Sequence, residues 1–357
     1  MTSRERVMKS LNFQPPDRIP RFDNFWGEFI ENWRNQKGFG QNVDIRDYYG
    51  IDLSVHVADE TFFPSSKRVI KKEGVYKILE DGWGRTVKIR KDSYFSQVIA
   101  TVLKSKSALD GLEFEPADMD VRYQNFLERV KEDKQKQRAV FCKIGDPSHR
   151  SSFIRGETEF LMDLISDKSF AKALVEKVTD HRISIGLESL RRGNLYDTGV
   201  WIYDDMGSND APMFSPRAFE EIFLPVYKRM VNALKEAGAR KVILHCDGNI
   251  VPFLDMLIET GIDGINPVEP KAGMHLLELK EKYGDKLSYI GGVDNAFVLP
   301  SEDREKIRNH VLAILEAGKD GGIVIGTHSI GPDIAVGNYD FYHSLVCRYG
   351  NYTKTAG

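Results

Sequence analysis

The run Leu244-His245-Cys246-Asp247-Gly248-Asn249 puts an imidazole and a carboxylate two residues apart, so on an extended segment both side chains leave the same side. Farther along, Asn266-Pro267-Val268-Glu269, Asp294-Asn295 and Thr327-His328-Ser329 supply more acids, carboxamides and a second imidazole. His245, Asp247, Glu269 and His328 together offer nitrogen and oxygen donors in the number a zinc-type site uses, with room for a water or a substrate oxygen. The same residues can also satisfy one another without a metal, His245 being a rim histidine bonded to Asp247 or Glu269. Asp204-Asp205 adds two acids suited to proton transfer, although Asp and Asn at strand ends also cap the helices that follow. Cys246, one residue out of phase with its neighbours, is expected to face the strand packing as a small core residue.

Each cluster follows a short apolar run. Residues 139–144, 199–203, 241–244, 261–266, 287–290 and 322–325 are mostly apolar on both faces, as buried parallel strands are, and each precedes a helical stretch. One such helix opens at Ser215-Pro216 and carries Phe219, Ile222, Phe223 and Val226 inward. Another starts at Ser301 and runs through Ile307, Val311 and Leu315. Segments 18–22 and 53–57 bring the strands to eight, which predicts a TIM (β/α)8 barrel with the candidate residues on the rim where barrel enzymes place their chemistry. A doubly wound open sheet is the alternative, but no GxGxxG loop follows an early strand.

Two additions are legible. The N-terminal extension opens on a capping box, Thr2-x-x-Glu5, with Val7, Met8 and Leu11 on one face. An antiparallel β-hairpin insertion is expected at about 67–106, because residues 69–100 alternate apolar and polar around Glu73-Gly74 and Asp81-Gly82-Trp83-Gly84. The Lys-, Glu- and Gln-rich stretch 128–138 reads as a solvated helix end. No linker or repeat divides the chain, so a single domain over 1–357 is expected.

Composition narrows the partners. Fifty Lys and Arg against fifty-three Asp and Glu give a formal charge of -3, which provides no general attraction to nucleic acid or anionic membrane. No stretch approaches the roughly 18 consecutive apolar residues of a membrane span. Cys142, Cys246 and Cys347 show no CxxC spacing, so neither a disulfide framework nor a thiolate zinc cage is indicated. With no apolar signal-peptide core, a cytoplasmic location is expected, and a homodimer is left open. Trp26, Phe25 and Trp201 either line an aromatic pocket or pack the core. His56, His149, His181, His275, His310 and His343 have no partner at ligand spacing.

The segments Arg4-Glu5-Arg6-Val7 through Pro16-Asp17-Arg18-Ile19-Pro20, Leu244 to Asn249, and Ile290-Gly291-Gly292-Val293-Asp294 resemble the uroporphyrinogen decarboxylase superfamily over nearly the whole chain. The resemblance implies a TIM barrel and one of two activities, decarboxylation or cobalamin-dependent methyl transfer. Decarboxylases of that family carry an arginine-rich Met-Arg-Gln-Ala-Gly-Arg-Tyr segment after the first strand. Here the stretch is Asp23-Asn24-Phe25-Trp26-Gly27-Glu28-Phe29, with no arginine and two acids, which would repel an octacarboxylate. The methyltransferases carry His-x-Cys and a distant Cys after the last strand. His245 matches the histidine, Asp247 stands for the first cysteine, and His328 or Ser329 lies where the second falls.

Oxygen and imidazole ligands make a more Lewis-acidic centre than thiolates, one suited to a methoxy oxygen. The resemblance therefore implies a methyltransferase of the O-demethylase type, moving methyl from a small methoxylated or methylated donor to a corrinoid protein. Zinc or another divalent metal would sit on His245, Asp247, Glu269 and His328, with Asp204 and Asp205 assisting His245. Trp26, Asn24, Asn249, Asn266 and Asp294 are the expected substrate contacts. The Asp-x-His-x-x-Gly cobalamin motif is missing from the sequence, so the cobalamin would arrive on a partner protein. Two other readings stay open: a small-acid decarboxylase or lyase on the same barrel, and a non-catalytic ligand-binding barrel.

Overall fold

The strands of the computed structural model, which describes residues 1–90 and 96–354, are in chain order β1 (Leu53–Val57), β2 (Arg68–Glu73), β3 (Tyr76–Glu80), β4 (Arg85–Arg90), β5 (Ser96–Thr101), β6 (Ala139–Gly145), β7 (Gly199–Tyr203), β8 (Lys241–His245), β9 (Gly264–Asn266), β10 (Ser288–Gly292) and β11 (Ile323–Gly326). Seven of them form one curled, wholly parallel sheet in the order β1-β6-β7-β8-β9-β10-β11. All of the apolar runs from 139 onward are strands, shifted by up to three residues.

The predicted eighth strand, 18–22, is a correction. It is reduced to an isolated parallel bridge between Arg21 and Ile325 and an antiparallel one between Arg18 and Asn351. Phe22 N–H donates to Ile325 O at 2.9 Å, and Asp52 N–H, just before β1, donates to Arg21 O at 3.0 Å. This extended segment occupies the gap between β11 and β1 without forming a regular strand, so the sheet is not closed as an eight-stranded barrel. Pro20 contributes no N–H to a ladder. The segment lies so close to β11 that a Cβ on Gly326 would stand 1.7 Å from Phe22 O.

Strand alternation fills the inside of the curl. Leu53, Ala139, Phe141, Trp201, Ile243, Ile290 and Val324 pack with Phe22 and with Val7, Met8 and Leu11 of the first helix, Ser3–Leu11. Trp201 is fully buried, its ring 5.1 Å from that of Phe22, so it belongs to the core and not to an aromatic pocket. The capping box is present, and Gly322 N–H donates to Ser10 O at 2.7 Å. Buried Asp52 accepts from Ser3 Oγ (2.6 Å), Arg6 (2.8 Å) and Arg18 (2.7 Å). The extension thus plugs the floor, leaving the C-terminal ends of the strands as the accessible end.

The insertion is a separate antiparallel sheet, β2-β3-β4-β5; residues 91–95, within the expected insertion, lie outside the described residues. The Ser215 cap is observed, but the helix expected from Ser301 starts at Arg304, because Asp303 accepts from the N–H groups of Glu305 and Lys306 and takes the cap position. Stretch 128–138 is not simply solvated: Asp133 and Arg138 are buried, and Asp133 binds His56 at 2.7 Å, Arg46 at 3.0 Å and Arg138. Among the described residues no helix is long and apolar enough to cross a membrane.

Candidate functional site

The ends of β8 and β11 bring His245, Asp247 and His328 together, one ligand atom from each lying within 4.8 Å of the others. His245 Nε2 and His328 Nε2 each stand 3.3 Å from a different oxygen of the Asp247 carboxylate. The far nitrogens of both rings are tied down. Asn266 Nδ2 donates to Ile290 O at 2.9 Å, which turns its Oδ1 toward His245 Nδ1 at 2.6 Å. His328 Nδ1 stands 3.3 Å from Glu269 Oε1, whose other oxygen accepts from Gly248 N–H at 3.1 Å. The neighbour of each Nδ1 is thus an oxygen, the Asn266 carboxamide for His245 and the Glu269 carboxylate for His328, an arrangement that favours the proton on Nδ1 and turns each Nε2 to Asp247.

Burial raises the Glu269 carboxyl, but His328, the Gly248 N–H and Lys271, 3.1 Å away, more than offset it and bring its pKa down to about 2. Burial lowers the His328 imidazole, and the bond to Glu269 with the charges of Asp247 and Glu269 outweighs that and raises it. Asp247 Oδ1 and Glu269 Oε1 are buried with no aligned hydrogen bond. A carboxylate set between two imidazoles, with one of its oxygens orphaned, fits a divalent cation. Three of the expected ligands converge directly, and Glu269 orients one of them from behind.

The surrounding backbone is shaped to hold this group. Gly248 has φ +82°, and a Cβ there would stand 2.5 Å from the Gly207 backbone. Val268, immediately before Glu269, holds φ +58°, a costly conformation for a β-branched residue.

The other candidates fall in different places. Asp204 is fully buried, accepting from Ser148 Oγ, from the Ser148 and His149 N–H groups (3.4 and 3.3 Å) and from Tyr227 OH at 2.5 Å. It anchors the N-terminus of the helix Ser148–Arg155, and burial together with Asp146 raises its pKa well above the usual range. Asp205 stays on the exposed rim, 3.4 Å from Asp247 N–H. Asp294 caps its own turn through the Ala296 and Phe297 N–H groups (2.8 and 2.7 Å), and Asn249 accepts from Val251 N–H at 3.1 Å. Asn24 and Trp26 are exposed, on the segment bonded to Ile330. Cys246 is buried, its thiol pushed up by burial. His56, His181, His310 and His343 bond to Asp133, Arg182, Gly292 O and Tyr49 O respectively.

Two neighbours escaped the reading of the sequence, and a third, Asp23, entered it only as an acid of the segment 23–29. The Tyr203 ring stacks on His245 at 4.0 Å and 17°. Lys143 stands over the same ring, its Nζ 4.2 Å from the centroid. Asp23 is buried behind Thr327, whose N–H and Oγ1 donate to it at 2.8 and 2.9 Å, and burial pushes its pKa up to about 7 against these bonds and those of Tyr339 and Tyr342. A lysine at an inward position of the otherwise apolar run Ala139–Gly145 was the available signal.

Two curated proteins, both methylcobamide:CoM methyltransferase MtaA, one from Methanosarcina barkeri (strain Fusaro / DSM 804) and one from Methanosarcina barkeri, are 26% identical to this chain over 186 and 188 residues. Each match covers 50% of this chain and 52% of the relative, so the chain spans about half the length of the curated relatives it matches. A solved methyltransferase from Methanosarcina mazei has the same fold, with TM-score 0.70 over 98% of this chain and 99% of that one at 18% identity. Residues 78–349, most of the chain and the stretch that carries His245, Asp247, Glu269 and His328, match the family model for uroporphyrinogen decarboxylase (URO-D), and the chain belongs to that family.

Proposed function

We propose that this protein is a corrinoid-dependent methyltransferase that takes methyl from a small methoxylated or methylated compound and delivers it to a corrinoid carried by a partner protein. The observation that carries the reading is the pair of imidazoles whose Nε2 lone pairs are aimed at Asp247 by Asn266 and Glu269. The names of the curated relatives and of the structural neighbour support the methyltransferase side of the family. Zinc or a similar cation on His245, Asp247 and His328 would supply Lewis acidity to a leaving oxygen, which is a poor leaving group at neutral pH without such help.

The chain's own residues do the rest. Asn266 and Glu269 hold the two imidazoles in the ligand tautomer. Burial and the charges of Asp247 and Asp205 raise the Tyr203 phenol above its ordinary value, so its hydroxyl is a protonated donor beside His245. Asp205, on the rim, is placed to exchange protons with solvent. Transfer would leave the carbon–oxygen bonding pair on the donor's oxygen, the pair for the new bond being what a cob(I)alamin acceptor would supply when bound. The open end of the sheet must admit the corrinoid, so docking is expected over this rim.

The test supplies cob(I)alamin or the cognate corrinoid protein with a panel of methoxylated small molecules and follows methylcobalamin by absorbance. Formation with at least one donor, abolished in His245→Ala with the fold intact, is the expected result. No methylcobalamin from any donor, with a cognate corrinoid protein present, sinks the reading.

A further inference from the structure

One cleft away from the site has its cations already paired. A cavity of about 490 Å³ at the N-terminal ends of the strands is lined by Arg4, Lys134 and Arg138. Arg4 is paired with Asp197 at 2.5 Å, Lys134 with the carbonyls of Gly193 and Asn194 at 2.9 and 2.6 Å, and Arg138 with Asp133 and Asp47.

Lys143 at the mouth is different. It rises from β6 above inward-facing Ala139 and Phe141 and is half-buried. Its ammonium has the Tyr203 ring beneath it and, among the described residues, neither a carboxylate at ion-pair distance nor a hydrogen-bond acceptor. The carboxylate with the strongest influence on it, Glu60, is already shared by the Gly145 N–H, by Arg150 at 3.4 Å and by Arg182 at 3.6 Å. Asp146 accepts from Arg150 N–H at 3.0 Å. Three cations thus crowd one ionised Glu60, whose pKa they lower against its burial, and the outermost of them is left facing the mouth. Withdrawing an ammonium from water without an anionic partner is unfavourable. On its other flank the Tyr203 ring stacks against His245, and the strands run in the order β6, β7, β8.

We propose that Lys143 determines specificity by holding the anionic end of a small acid, a carboxylate or sulfonate, whose other end reaches past the Tyr203 ring to His245, Asp247 and His328. The anion site follows from Lys143 alone; that the far end of the acid bears the transferred methyl rests on the methyltransferase reading.

The experiment is calorimetric titration of the whole chain, without metal or corrinoid, with 4-methoxybenzoate, 4-methoxybenzenesulfonate and 4-methoxybenzamide. One or both acids should bind at least about tenfold tighter than the amide, the size expected of a charge-assisted bond. Which acid binds better distinguishes carboxylate from sulfonate. Lys143→Met should abolish the preference while leaving the amide's affinity as it was, and Lys143→Arg should keep most of it; a purely structural lysine would move acid and amide together. Equal binding of acids and amide, no saturable binding of any probe, or an undiminished preference in Lys143→Met overturns the assignment. If Lys143→Met does not fold by circular dichroism, the wild-type comparison of acid with amide decides alone. Selective acid binding without methyl transfer would overturn the reaction and keep the anion site, whereas methyl transfer without acid preference would do the reverse.

Discussion

Which nitrogen of each imidazole is free is decided by Asn266 and Glu269, and that makes the two residues as consequential as the histidines they face. Asn266→Leu keeps the volume but removes the acceptor that fixes the His245 tautomer. We expect it to weaken Zn²⁺ or Co²⁺ binding by about 10- to 100-fold, the usual cost of losing such support, as read by competition with a chelator. His245→Ala should lose the metal and Cys246→Ser should keep it, since the thiol is buried against Met206 N–H. Metal retained in His245→Ala, or lost in Cys246→Ser alone, refutes the ligand set. Asp23 carries a second prediction. Its pKa rises from 3.8 to about 7 on folding, so the folded state holds a proton that the unfolded chain releases. The stability that the neutral carboxyl contributes is therefore present in acid and falls as pH climbs through about 7. Asp23→Asn does not titrate, so the Tm of the variant relative to wild type should climb from pH 4 to 7 and level above, by the equivalent of up to about 4 kcal/mol. A gap that does not change with pH would refute the buried-acid assignment.

Elements place these side chains, and most elements were legible because buried parallel strands announce themselves as short apolar runs. The eighth did not follow, because Pro20 and the close approach to Gly326 are compatible with a bridge and not with a ladder. The convergence of His245, Asp247 and His328 could be read from strand ends, whereas the roles of Asp204 and Glu269 could not. Sequence shows that Asp204 ends a strand; only packing shows the N-terminus of the helix Ser148–Arg155 descending onto it. Likewise Glu269 faces His328 because of the turn made at Val268, which no local preference requires. The loop after β8 gives a sharper test. Gly248 adopts φ +82° against the Gly207 backbone, so Gly248→Ala must displace the loop that carries Asp247. It should cost about 1 kcal/mol or more of stability from the left-handed backbone alone and weaken metal binding with it. A variant with unchanged Tm and unchanged metal affinity would show that the loop does not depend on this glycine.

At the scale of the whole molecule, the charge at the open end decides between the two chemistries of the family. An octacarboxylate tetrapyrrole can be desolvated only against a matching set of cations. The segment 23–29 contains Asp23 and Glu28 and no arginine, and Asp23 is turned inward onto Thr327 and Tyr339. Arg150 and Arg182 are committed to Glu60 and Lys271 to Glu269, so the open end, which carries Asp205, Asp247 and Glu269, has too little positive charge for eight carboxylates. Those acids suit a divalent cation and would repel a polyanion in its absence. We therefore expect no decarboxylation of uroporphyrinogen by the purified protein, with or without added zinc. Coproporphyrinogen formed at enzymatic rates, measured by fluorescence after oxidation to the porphyrin, would show that the mouth binds a polyanion through groups other than these and would place the chain on the decarboxylase side of its family.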